Sequence, residues 1–107
     1  MKVIFYRTSK GKEPFEIWLR SLKDQQVITR IRDRIDRITE FNFFGDYKRV
    51  DEEIYELRFH FGAGYRVYFA YQEEGEQIVA ILCGGNKSSQ NADIPKAKQY
   101  LEDFKNV

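Results

Sequence analysis

Three closely spaced apolar runs constrain this chain more than any other feature. Residues 54–61 (IYELRFHF), 65–71 (YRVYFAY) and 77–83 (QIVAILC) are rich in aromatic and β-branched side chains, which suit a pleated, half-buried surface. Gly62-Ala63-Gly64 separates the first two runs, and Glu73-Glu74-Gly75-Glu76 separates the last two. Glycine reaches the positive φ values of tight turns, so these connectors predict hairpins. The three runs form an antiparallel meander.

Period 2 sorts the side chains of that meander. Tyr55, Leu57, Phe59 and Phe61 share one face of the first strand, while Ile54, Glu56, Arg58 and His60 share the other. In the second strand Tyr65, Val67, Phe69 and Tyr71 oppose Arg66, Tyr68 and Ala70. With the more apolar faces turned to helices, Arg58 and Arg66 emerge together on the opposite side. The third run is apolar at consecutive positions, as expected of a strand covered on both faces. Its end, Gly84-Gly85-Asn86-Lys87, is placed to turn a lysine back over the arginines.

The remaining chain supplies helices. Lys2 to Arg7 reads as a short strand, and Thr8 to Lys12 as a loop. Pro14 suits a first helical turn, and Phe15, Trp18, Leu19 and Leu22 then recur at helical spacing over 13–22. Trp18 reads as a packing anchor rather than a base-stacking platform. Asp24 caps a longer helix to about Phe41, with Val27, Ile31, Ile35 and Ile38 on its buried stripe. Its exposed face alternates charge, with Arg32–Asp36 and Asp33–Arg37 at i,i+4 spacing. That face is either a solvated, ion-paired surface or one that contacts RNA phosphates or an acidic partner. Residues 47–50 lead into the meander, and Asp93-Ile94-Pro95 marks the start of a last helix carrying Ala97, Leu101 and Phe104. The expected order is β-α-α-β-β-β-α. This is an α+β fold, one domain over 1–107, with a mainly antiparallel four-stranded sheet and its helices packed on one face.

Composition narrows the function classes. The net charge of 107 residues is only +1, yet residues 1–50 hold 12 Lys/Arg against 7 Asp/Glu and residues 51–107 hold 6 against 10. The basic half is compatible with a polyanionic partner. One cysteine, Cys83, lies in an apolar run and reads as a small buried hydrophobe. One Cys and one His give no metal-ligand cluster, so neither a metal nor any other cofactor is expected. Gly84-Gly85-Asn86-Lys87-Ser88 lacks the first glycine of a nucleotide-triphosphate loop. No apolar run approaches membrane-spanning length, and no signal peptide is evident, so a soluble cytoplasmic protein without membrane association is expected.

Three stretches taken together resemble the RelE/ParE toxin superfamily: Ile54-Tyr55-Glu56-Leu57-Arg58, Gly64-Tyr65-Arg66-Val67-Tyr68-Phe69, and Leu82-Cys83-Gly84-Gly85-Asn86-Lys87-Ser88-Ser89-Gln90. The nearest branch is that of the phage-derived, Gp49-like or HigB-like "addiction module killer" proteins, and the likeness extends over nearly the whole chain. It implies the toxin of a type II toxin–antitoxin pair, an endoribonuclease that cleaves mRNA on translating ribosomes. Its implied partner is a cognate antitoxin, typically a small helix-turn-helix protein. A ParE-like member would instead inhibit DNA gyrase by contact alone, and a degenerate member would be a non-toxic binding domain.

The implied chemistry assigns roles to residues. Metal-free RNA cleavage uses the 2′-hydroxyl as nucleophile and needs a proton acceptor, charge stabilisation at phosphorus, and a donor to the leaving oxygen. Arg58 and Arg66 suit the charge role, because guanidinium forks match phosphate oxygens. Lys87 serves as acid, or as base if the arginines depress its proton affinity. Lys48, Arg49, Tyr65 and Tyr68 are the expected RNA contacts. The chain departs from the family pattern in carrying Glu56 where a second basic residue can stand, and in lacking an obvious C-terminal Tyr or His; Asp93 lies near that position. Glu56 and His60, both on the Arg58 face, are the candidates for the remaining proton transfer, against plain ion pairing for Glu56 and an ordinary strand position for His60.

Overall fold

Alternating burial along the meander sets the architecture. The computed structural model describes residues 1–106. In chain order the elements are β1 (Lys2–Phe5), α1 (Pro14–Ser21), α2 (Gln25–Phe41), β2 (Tyr47–Arg49), β3 (Tyr55–Arg58), β4 (Arg66–Gln72), β5 (Ile78–Gly85), a 3-10 turn (Lys87–Ser89) and α3 (Gln90–Lys105). The sheet order is β1-β5-β4-β3-β2. β2 to β5 pair antiparallel, while β1 lies parallel to β5 with Lys2 beside Ile78 and Phe5 beside Ile81. The sheet is therefore five-stranded and mixed, not four-stranded. The extra strand is β2, whose three residues are all exposed. An edge strand of this kind carries no burial alternation for the sequence to display.

The helices also depart from the expected arrangement, since they cover both faces of the sheet. α1 and α2 bury Phe15, Leu19, Ile31, Ile35 and Ile38 against Leu57, Phe59, Val67, Phe69, Val79 and Ile81. On the other face α3 sets Ala97 and Leu101 against Ile54, Tyr68, Ala80 and Leu82. β4 and β5 present apolar side chains on both sides, so the second face needs its own cover. α3 also begins earlier than expected. Asn86 caps the 3-10 turn, accepting from Ser88 N and Ser89 N, and the chain runs on into α3 at Gln90. Pro95 consequently lies inside the helix, where it leaves one turn without a backbone donor.

α2 follows the sequence closely. Asp24 accepts from Gln26 N at 2.9 Å at its start, and Asn42 closes it in the left-handed conformation. Its expected i,i+4 ion pairs are replaced by others. Arg32 reaches across to Glu16 of α1 at 2.7 Å, and Asp33 and Arg37 make no ion pair among the described residues.

The ladder between β4 and β5 is irregular. Tyr68 pairs with Cys83 but Phe69 pairs with Ile81, so Leu82 is an extra residue in β5. Such a bulge reverses the alternation beyond it. Leu82 and Cys83 both join the α3-side core. Gly84 then faces Trp18, and Gly85 faces Asp93 and Ser89. A Cβ at Gly84 would lie 2.2 Å from a Trp18 ring carbon. Trp18 is therefore the packing anchor expected from sequence, and only glycine admits it. Gly84→Ala should lower stability by about 1–3 kcal/mol through overpacking, measured as a shift in the urea unfolding midpoint. An unchanged midpoint would mean that the ring moves aside without cost.

Candidate functional site

β3 and β4 bring the two arginines together as direct cross-strand partners, Arg58 opposite Arg66. Gly85 of β5 continues that row. Like charges directly opposite repel, and each arginine has its own carboxylate. Arg66 is 9% exposed and Glu56 only 2%. Arg66 Nε lies 3.7 Å from Glu56 Oε2, an ion-pair separation too long for a hydrogen bond. Arg66 Nη1 donates to the carbonyls of Gly64 and Tyr65 at 3.0 and 3.1 Å. Glu56 Oε1 accepts from Gln90 Nε2 at 2.6 Å, which ties the first turn of α3 to β3. Glu56 thus has the geometry of an ion-pair partner inside the frame.

Arg58 is compensated by Asp46, a loop residue that the sequence pattern does not single out. Arg58 Nη2 donates to Asp46 Oδ1 at 2.9 Å, and His60 Nε2 contacts Asp46 Oδ2. The Arg58 and His60 contacts hold the Asp46 carboxyl down at about 2, and Asp46 in turn raises the proton affinity of Arg58. Asp46 is placed from behind by Arg34 of α2. The Arg34 guanidinium donates to the carbonyls of Phe44, Asp46 and Arg58 at 2.8, 2.6 and 3.0 Å. Hydrogen bonds from a charged donor contribute about 1.5–3 kcal/mol each, so Arg34 pins the 44–46 turn against the end of β3. A Gly45-Asp46 turn preceding an arginine-bearing strand is the one sequence signal that could have found it.

Lys87 completes the cluster. Lys87 N donates to Ala63 O at 3.4 Å. A Cβ at Gly64 would lie 3.3 Å from Lys87 Cβ and 3.7 Å from Arg66 Nη1. Gly64, with φ +70°, is what lets the lysine stem lie against the β3–β4 turn. Lys87 is exposed, and among the described residues it makes no ion pair. The three cations expected on one surface do gather here, and the ion-pair alternative for Glu56 is the one observed. Arg58 and Arg66 are neutralised by Asp46 and Glu56, and Lys87 alone lacks a carboxylate.

The expected RNA contacts divide. Lys48 and Arg49 are exposed on β2, where Arg49 is turned back onto the carbonyls of Asp51 and Glu52. Tyr65 is half-buried between Trp18 and Phe61. Tyr68 is fully buried in the α3-side core, so it is removed from any surface a base reaches. Its hydroxyl is raised in pKa by burial and then by Glu56 and Asp93. Tyr68 Oη, Arg58 Nε and Arg66 Nε are buried without a hydrogen-bond partner. These atoms belong to Arg66 itself, to its cross-strand partner Arg58 and to Tyr68, the cross-strand partner of Glu56. Asp93 accepts from Ser89 Oγ over Gly85. Burial pushes the Cys83 thiol up to about 12, leaving it inert at neutral pH. Beside this row lies a cleft of about 540 Å³, bounded by Trp18, Gly84, Gly85 and Asp93. Among the described residues no three His, Cys, Asp or Glu side chains gather closely enough to hold a metal ion, and no helix is long and apolar enough to cross a membrane.

Comparison with known proteins finds an uncharacterized protein of Haemophilus influenzae that is 44% identical over 90 residues, covering 84% of this chain and 88% of that protein. The chain belongs to the family of that Haemophilus protein. No family model matches it.

The Asp46 contacts make a pH-dependent contribution with a defined sign. A carboxylate depressed from 3.8 to about 2 stabilises the fold above the higher value, and that contribution is lost as pH falls through the lower one. The stability difference between wild type and Asp46→Asn should therefore be present at neutral pH and vanish as pH drops from about 3.8 toward 2. Urea unfolding across that window checks it; a difference that persists at the acid end would assign the effect to something other than the ionised carboxylate.

Proposed function

We propose that this chain is the toxin of a toxin–antitoxin pair, acting in the bacterial cytoplasm as a metal-independent mRNA endoribonuclease on translating ribosomes and neutralised by a cognate antitoxin. The observation that carries the reading is the cross-strand Arg58–Arg66 pair with Lys87 against its turn and His60 held by Asp46. These groups supply the elements that 2′-hydroxyl attack requires. In its neutral form, His60 with Nε2–H toward Asp46 leaves Nδ1 to accept the 2′-hydroxyl proton. The 2′-oxygen bonds to phosphorus while the bond to the 5′-oxygen breaks. Arg58, half-exposed, offers donors to the equatorial oxygens as charge develops, and the buried Arg66 opposite it holds the β3–β4 frame in place. Lys87, exposed and without a carboxylate, gives a proton to the leaving 5′-oxygen. The products are a 2′,3′-cyclic phosphate and a 5′-hydroxyl.

A second reading is a gyrase-directed or purely binding member of the superfamily. It is favoured by the neutralisation of both arginines, which a non-catalytic surface tolerates equally well.

The structure also selects the variants for testing these readings. Arg66→Ala would strand the buried Glu56 carboxylate, a loss of about 3–5 kcal/mol, so its inactivity would be uninformative. Lys87→Ala and His60→Ala remove exposed groups. Induced alone in a bacterial host, the wild-type protein should arrest growth, with discrete new 5′ ends on cellular mRNA by primer extension. Lys87→Ala should lower single-turnover cleavage on ribosome-bound mRNA by about 10²-fold or more, with His60→Ala no more damaging. Glu56→Gln should act mainly on stability. Full activity in a folded Lys87→Ala variant would remove the lysine from the reaction. Lost supercoiling and DNA damage with intact mRNA would replace the ribonuclease reading by the gyrase one.

A further inference from the structure

α2 carries a second basic feature, on the opposite side of β3 from the Arg58 side chain. Arg30, Arg34 and Arg37 share one side of the helix and, with Phe59 and Phe61, line a cleft of about 260 Å³ that also contains Asp33. The arginines of this protein are otherwise paired. Arg7, Arg20, Arg32, Arg58 and Arg66 each face a carboxylate, and Arg34 and Arg49 donate to backbone carbonyls. Among the described residues, Arg30 and Arg37 are the two arginines with neither kind of partner, and both line this cleft. Asp33 forms no ion pair with either, so the cleft keeps a positive excess. Arg34, between them, has its proton affinity lowered mainly by burial, with Asp46 opposing that shift and Arg37 adding to it. Such repulsion costs free energy unless an anion relieves it.

Arg30 is also held in place. Its guanidinium lies 3.7 Å from the centroid of the Phe61 ring, a cation–π contact that leaves its N–H edges free for oxygen acceptors. Phe61 follows His60 in the β3–β4 turn, and that same turn carries Gly64 against Lys87. Arg34 links the two sides directly, donating to the carbonyls of Asp46 and Arg58. The turn that bears His60 and lies against Lys87 thus also bears Phe61, the ring over which Arg30 sits.

We infer that the Arg30–Arg37 cleft is a second phosphate subsite for the same single-stranded RNA, binding the backbone beyond the scissile bond. This inference rests on the ribonuclease reading and adds to it where the rest of the substrate runs. Spaced guanidinium groups suit a repeating phosphodiester, and continuity with the turn favours RNA over an acidic peptide as the occupant.

The test uses a short 2′-O-methyl oligoribonucleotide, which binds without being cleaved. Affinity is measured by fluorescence anisotropy across a salt series, for wild type, for Arg30→Ala/Arg37→Ala, and for Arg20→Ala as a surface control. Thermal unfolding of each variant verifies folding, and Arg30→Lys/Arg37→Lys keeps the charge if the alanine pair is poorly folded. The expected result is weaker binding by the double alanine variant, with a salt slope smaller by about 1.4, since each phosphate on a single strand contributes about 0.7. The Arg20→Ala control should match wild type, and the lysine pair should retain most of the slope. Wild-type binding with an unchanged slope in a folded double variant overturns the subsite and leaves the ribonuclease reading standing. Absence of RNA binding by the wild type overturns the subsite, while the ribonuclease reading stands or falls by the new 5′ ends on cellular mRNA. Binding of a polyglutamate peptide in place of RNA, lost in the double variant, assigns the cleft to an acidic partner and overturns the RNA subsite.

Discussion

The buried Glu56–Arg66 pair is the constraint on which the rest of the molecule depends. Two ionised side chains, 2% and 9% exposed, sit between the sheet and the first turn of α3. Removing them from water is costly, and their mutual attraction offsets that cost only when hydrogen bonds complete the arrangement. The structure supplies these from three elements. The β3–β4 turn gives its carbonyls to Arg66, α3 gives Gln90 to Glu56, and β3 carries the carboxylate itself. Pairing in register thus fixes the turn that carries His60 and Gly64, and the same contacts fix where α3 begins and where Lys87 emerges. A network of this kind adds little net stability, but loss of any one member strands another.

The meander and its two faces were legible in the sequence because burial imposes period 2 on strands covered on at least one side. Leu57, Phe59, Val67 and Phe69 fall on the α1–α2 face, and Arg58 stands opposite Arg66, as the alternation predicts. β2 was not legible, because Tyr47, Lys48 and Arg49 are all exposed and pair through backbone alone. The parallel pairing of β1 was hidden because its partner is the last strand in the chain. The cover supplied by α3 could have been inferred from the two-sided apolarity of β4 and β5. The bulge at Leu82 could not, since an extra residue in a continuous apolar run leaves no pattern.

The candidate site was legible in its cations and in Glu56, but not in Asp46. Arg58, Arg66 and Lys87 stand out because they interrupt or terminate apolar runs, whereas Asp46 lies in a loop 14 residues before His60. Only the fold reveals that it contacts both His60 and Arg58, with Arg34 bracing it from α2. Tyr68 misled for the opposite reason. On an alternating strand it shares a face with Arg66, but α3 covers that part of the face and closes at 0% exposure over its ring. Under the proposed ribonuclease reading the labour divides. Arg66 and Glu56 hold the frame, Asp46 orients, and the groups free to meet a substrate are Lys87, His60 and the open side of Arg58.

The chemistry of the cut ends tests this account most directly. RNA incubated with the purified protein, on ribosomes and with EDTA present, would be analysed by mass spectrometry. The proposed attack by the 2′-hydroxyl, served by His60, Lys87 and Arg58, predicts 2′,3′-cyclic phosphate and 5′-hydroxyl ends in undiminished yield. Ends bearing 5′-phosphate, formed only when a divalent ion is restored, would contradict it, because such ends come from a water nucleophile and not from the 2′-hydroxyl.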